Sequence, residues 1–207
     1  MLHAELGDTT IADQFFEESQ HSYRGVSPIP VALLEFQRGH MWMSAGKLHR
    51  AHHWFQIAHC RLPAYAPAQG HLAEVEAEFG ETETAINRLM PLTTSSDDPD
   101  YCATLARILL KIGRTEEADG WRRKAAGRYN DLISRHPEAF ADHAAAFWIE
   151  VGSDPHRALS LAKLNLEIRQ TPRAKRLFLR AAHSCVSHES AALSGAKSSK
   201  SLEVEVR

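Results

Sequence analysis

Small and large apolar side chains recur along this chain in a fixed register around five glycines, Gly7, Gly46, Gly80, Gly113 and Gly152. Seven residues before the glycine the side chain is small: Gly39, Ala73, Ala106 and Ala145. Four before it stands a large residue, Trp42, Leu109 or Trp148, with Glu76 the exception. Five after it comes alanine, as Ala12, Ala51, Ala85 and Ala118, displaced by one to Ala158 in the last copy, and nine after it come Phe16, Phe55 and Leu89. The glycines are 39, 34, 33 and 39 residues apart, a period near 34 with five-residue insertions. Two antiparallel helices joined by a tight turn approach closely only where neither carries bulk at the crossing, so the small columns mark crossings and the large ones fill the space beside them.

The remaining stretches fall between or after these pairs. Gly25 to Pro30, "GVSPIP", and Thr93 to Asp100, "TTSSDDPD", are loops by composition, and Asp98 is placed to cap the helix that follows Pro99. Residues 8–24 have the pattern of a second helix without its first. Ala174, Leu177, Phe178, Ala181 and Cys185 form one buried helical stripe, as expected of a helix capping the last apolar face. From residue 190 the chain turns Ser- and Lys-rich without aromatics and is expected to be a disordered tail.

These residues resemble the tetratricopeptide repeat (TPR), a helix-turn-helix unit of 34 residues. The best copy, Ala32 to Tyr65, places Gly39, Trp42, Gly46, Ala51, Phe55, Ala58 and Pro63 at the family's small, large, turn, small, large, small and terminator positions. The resemblance implies an all-α, right-handed superhelical array of antiparallel helix pairs, with about ten helices. Its expected organisation is a partial repeat and loop over 1–31, four repeats at 32–65, 66–98, 99–137 and 138–172, a capping helix over 173–189 and the tail over 190–207. The second copy lacks the aromatic and the timely proline, the third has Arg122 where a bulky apolar residue is usual, and the fourth has one extra residue in its turn.

The resemblance also implies a function. First helices of such arrays line a groove that receives a partner peptide or helix. The groove-facing positions are Leu33, Phe36, His40, Met43 and Ser44 in the best copy. Gly70, Glu74, Ala77 and Glu78 follow, then Ala103, Arg107, Leu110 and Lys111, then Asp142, Ala146, Ile149 and Glu150. Members that clamp a C-terminal carboxylate place lysine and asparagine where Phe36 and His40 stand here, so that ligand is not implied. Arg107 and Lys111 share one helix face and suit either an acidic group or simple solvation.

Composition narrows the function class. A net charge of -2, with 43% hydrophobic and 24% charged residues, gives no field for gathering phosphates or acidic membranes, so neither nucleic acid nor membrane is the expected partner. Cys60, Cys102 and Cys185 are an odd number without a CxxC pair and fit reduced thiols in the cytoplasm. The opening residues lack a signal-peptide pattern, and no run approaches the roughly 20 apolar residues of a membrane span.

The stretch "GKLHRAHHWFQIAH" holds four histidines, His49, His52, His53 and His59. His49 and His53, four apart, share a helix face and have the spacing to ligate a transition metal together. No glutamate follows the first histidine as in HExxH, and the repeat register sends both to an outer face. No phosphate-binding P-loop, GxSxG elbow or GxGxxG occurs. The expectation is therefore no catalytic residue, no cofactor and no dedicated metal, in a scaffold binding another protein or peptide. The alternatives are a metal-handling protein using surface histidines, or a homodimer formed through an uncovered N-terminal stripe that includes Phe15 and Phe16.

Overall fold

The computed structural model describes the backbone of residues 2–204 and the side chains of residues 3–4 and 6–190. All regular structure among them is helical. A single turn, α1 (Leu2–Glu5), precedes α2 (Thr9–Ser22), α3 (Ile29–Ser44), α4 (Leu48–Arg61), α5 (Ala66–Glu78), α6 (Thr82–Ser95) and α7 (Pro99–Lys111). Then follow α8 (Thr115–Arg135), α9 (Pro137–Glu150), α10 (Pro155–Ile168) and α11 (Pro172–Val204). The chain forms two compact units, residues 1–121 and 122–207.

Local chemistry sets the helix ends. Proline opens α7, α9, α10 and α11, where its missing N–H costs nothing and its fixed φ suits the first turn. The Asp98 side chain accepts from Asp100 N at 2.9 Å, the cap expected for α7. At the turn between α3 and α4, Gly46 has φ +69, a left-handed conformation that glycine adopts without strain. Lys47 N then reaches Trp42 O at 2.9 Å, closing the helix with a six-to-one hydrogen bond. Glu81 N to Glu76 O and Arg114 N to Leu109 O repeat that bond at 2.9 Å. In the fourth pair the donor is Gly152 itself, to Phe147 O at 2.8 Å, and the left-handed residue is Ser153 at φ 57. The extra turn residue is accommodated within the loop: Asp154 N, following the left-handed residue, reaches Trp148 O at 3.2 Å, spanning one residue more than the equivalent bond in the other turns.

In residues 1–121 the register columns lie inside. Ala12, Ala51, Ala85 and Ala118 are buried, as are Gly39, Ala73 and Ala106, and Phe55 and Leu89 are fully enclosed. Each pair packs on the next, with α3 on α4, α4 on α5, α5 on α6 and α6 on α7. The anomalous Glu76 is buried as well, its carboxylate held by Arg88 of α6 through three contacts of 2.6–3.1 Å. Glu35 of α3 is 1% exposed and takes two 2.7 Å hydrogen bonds from Arg61 at the end of α4. A buried carboxylate so paired ties first helix to second by geometry as well as by apolar contact.

In residues 122–207, α10 packs against both α9 and α11. Tyr129 stacks on Phe147 with centroids 5.1 Å apart, and the Arg157 guanidinium sits 4.3 Å from the Trp148 ring. Ala174, Leu177, Ala181 and Cys185 of α11 are buried, and Phe178 is half-buried. Helix α11 then continues to Val204, past residue 189 and through most of the segment expected to be disordered. No proline follows Pro172, and the alanines that open the segment favour helix propagation. Residues 205–207 of the expected tail lie outside the described residues. No helix among the described residues is long and apolar enough to cross a membrane.

Candidate protein-binding surface

The first helices of the pairs in residues 1–121 touch one another through the positions expected to meet a partner. Between α3 and α5, His40 meets His71 edge to face at 5.3 Å, and Phe36 meets the same ring at 5.4 Å. Between α5 and α7, Arg107 Nη2 donates to Glu74 Oε1 at 2.8 Å and Lys111 Nζ to Glu78 Oε2 at 3.1 Å. The two ion pairs span equivalent places in successive repeats. Arg107 and Lys111 therefore already hold carboxylates of the neighbouring helix, and an acidic ligand there competes with Glu74 and Glu78.

Glu74 has three partners on this face, His71, Thr104 and Arg107. Its Oε2 lies 2.8 Å from His71 Nδ1, and Thr104 Oγ1 donates at 3.2 Å to Oε1, the oxygen that Arg107 holds. Burial alone pushes its carboxyl up, but the His71 hydrogen bond and the charges of His71 and Arg107 outweigh that and hold it below the usual carboxylate value.

Several expected contact residues lie deeper than their register suggests. Phe36 is 7% exposed, enclosed by Phe55 at 5.6 Å and Tyr65 at 5.2 Å as well as by His71. The following pair closes over it, making it core. Gly70 is buried under the ring of Tyr101, and Ala103 is buried too. Leu33, Ser44, Glu78, Leu110 and Lys111 are exposed, while His40, Met43, Glu74, Ala77 and Arg107 are half-buried. This face thus presents leucines beside self-paired charges.

In the unit of residues 122–207, Asp142, Ala146 and Ile149 of α9 are half-buried and Glu150 is exposed. Glu150 accepts from Arg180 Nη2 of α11 at 2.7 Å. An open depression between α9 and α11 is lined by Ile149, Arg176, Leu179, Arg180, His183 and Ser187, among others. Sequence reading gave α11 only a capping role. Carrying the 34-residue register one copy further would have found Arg176, Arg180 and His183, which stand 34 residues after Asp142, Ala146 and Ile149. His71 was also missed, although it precedes Glu74 by three residues on one helix and so shares its face.

His49 and His53 of α4 are exposed, each against an aromatic ring. His49 stacks on Phe79 at 4.7 Å, and His53 lies edge to face with Trp54 at 5.3 Å. Burial, aided by the charge of Arg88 and opposed by Glu76, pulls the His59 pKa below its ordinary 6.5. Among the described residues no group of three or more His, Cys, Asp or Glu is placed to hold a metal ion.

At the N-terminus Phe16 is buried, so it is not part of an uncovered stripe. Phe15 remains 53% exposed against His3, with Leu6 and Ile11 also exposed.

No protein-family model and no curated protein matches this chain. Solved structures do. A thermophilic TPR protein of Thermus thermophilus, TTC0263, superposes with a TM-score of 0.52 at 16% identity, covering 74% of this chain and 82% of that one. MamA superposes at 0.51 and 16% identity, over 91% and 95% of the two chains. With the glycine turns and helix pairs already described, the likeness establishes an all-α solenoid of helix pairs with the tetratricopeptide-repeat fold.

Proposed function

We propose that this chain is a cytoplasmic, non-catalytic scaffold that holds a peptide or helix of a partner protein on the faces of its first helices. The observation that supports this most is the surface of α3, α5 and α7. Exposed Leu33 and Leu110 offer apolar anchorage there, and the exchangeable pairs Glu74–Arg107 and Glu78–Lys111 offer charge that sets register rather than raw affinity. All three cysteines are free thiols, in keeping with a reducing compartment.

The test is affinity capture from native lysate with mass-spectrometric identification, wild type against the double variant Leu33→Ser, Lys111→Glu. Both side chains are exposed, so the fold is retained. A partner captured by wild type and lost by the variant supports the assignment, and equal recovery of every partner rejects it. Exposed Leu6, Ile11 and Phe15 favour a second reading, self-association through the N-terminal face. Sedimentation of wild type against Phe15→Asp decides it: a monomer at every concentration ends that reading.

A further inference from the structure

The depression between α9 and α11 differs in chemistry from the face of α3, α5 and α7. Between Pro172 and Ser190, α11 carries Arg173, Lys175, Arg176 and Arg180 against a single acid, Glu189, in a chain whose net charge is -2. Arg173, Lys175 and Arg176 have no acidic partner among the described residues, and Arg180 shares Glu150 at half exposure. Arg176, Arg180 and His183 repeat at helical spacing along one face, and Leu179, 65% exposed, stands among them with Ile149 across the gap. Leu179 is thus left open to solvent opposite Ile149, beside the cationic face of α11.

We propose that this α9/α11 face is a docking site for an acidic amphipathic segment of a partner protein. The proposal rests on reading the chain as a peptide-binding scaffold and names the ligand chemistry at one place in it. Charge complementarity assigns the parts. A carboxylate of the ligand pairs with Arg176, a second exchanges with Glu150 for Arg180, and a leucine-like side chain covers Leu179 and Ile149. A nucleic-acid strand suits the site less, because Glu150 already pairs with Arg180, no Phe, Tyr or Trp lines the depression for base stacking, and few phosphates would be neutralised.

The experiment pans a phage-displayed library of random peptides of about 16 residues, four helical turns, on the full chain. The consensus peptide is then titrated by fluorescence anisotropy against wild type, Arg176→Glu and Leu179→Asp. Both sites are exposed, and circular dichroism verifies the fold of each variant. The expected consensus is rich in Asp and Glu with apolar residues three or four apart, its affinity falls about tenfold or more in either variant, and it weakens with salt. A consensus without acidic bias, or equal binding by wild type and both variants, overturns the proposal. So does a single-stranded oligonucleotide that displaces the peptide and binds more tightly. The Leu33→Ser, Lys111→Glu variant is expected to bind the peptide as wild type does. If the peptide result fails while that variant still loses its lysate partner, this site alone is withdrawn.

Discussion

Replacing Gly39 by alanine sets two effects of known size against each other. Gly39 lies inside α3, where alanine gains about 0.5–1 kcal/mol over glycine from backbone entropy and propensity. Yet a Cβ at this position would lie 2.6 and 2.7 Å from two ring carbons of Phe55. That ring is fully buried, tilted against Phe36 at 5.6 Å and stacked on His71 at 5.2 Å, so it has nowhere to move. Overpacking of this kind costs about 1–3 kcal/mol, which leaves a net loss of about 0–2.5 kcal/mol. Gly120 in α8 is the control, since a Cβ there meets nothing within 4 Å and the same substitution should stabilise by about 0.5–1 kcal/mol. Both positions belong to residues 1–121, so one urea titration followed by far-UV circular dichroism reads both. Adding Phe55→Leu to Gly39→Ala should relieve the clash and give a coupling of at least about 0.5 kcal/mol. A Gly39→Ala protein stabilised as much as Gly120→Ala, or strict additivity with Phe55→Leu, refutes the close-crossing argument.

Three further outcomes are expected. Arg61→Ala leaves the buried Glu35 carboxylate to the Gln20 amide alone, and because Arg61 is itself 36% exposed the loss is about 1–3 kcal/mol, mostly recovered by adding Glu35→Gln; no recovery would refute the buried-charge account. The Glu74 carboxyl is depressed in the folded state, so its stabilisation is complete above its ordinary value of 4.5 and is lost as pH falls through the lower folded-state value. The stability gap between wild type and Glu74→Gln should therefore be present at neutral pH and close in acid, and a gap independent of pH contradicts the pairing. Exposed Cys60 should react with a thiol reagent before Cys102 and Cys185, which are buried. Burial, with Glu189 and Asp154 nearby, also pushes the Cys185 thiol up, so Cys185 reacting as fast as Cys60 would contradict the packing of α11 on α10.

What could be read from the sequence was what short-range physics controls. The glycine turns, the alanine columns and the Asp98 cap each depend on neighbours a few residues away or on one partner helix, and periodicity exposes such features. What escaped depends on which distant side chain arrives. Glu76 breaks the column of large residues because Arg88 neutralises it inside the core. Phe36 left the expected contact set because Tyr65 and His71 of the following pair close over it. Arg107 and Lys111 looked available on their own helix, and their partners Glu74 and Glu78 lie 33 residues earlier. The contribution of α11 to a surface does not follow from its capping the last pair, although its arginines keep the repeat register.

The ion pairs between successive first helices, Glu78–Lys111 in one unit and Glu150–Arg180 in the other, give such a chain a particular freedom to diverge. Each pair stands on two helices, so exchanging its acid and base preserves the attraction while inverting the polarity that a ligand meets. The route through either single change breaks one exposed pair, a cost of about 0–1 kcal/mol. On the binding role proposed above, ligand preference can therefore drift, rung by rung, along paths that the stability of the helix pairs scarcely constrains.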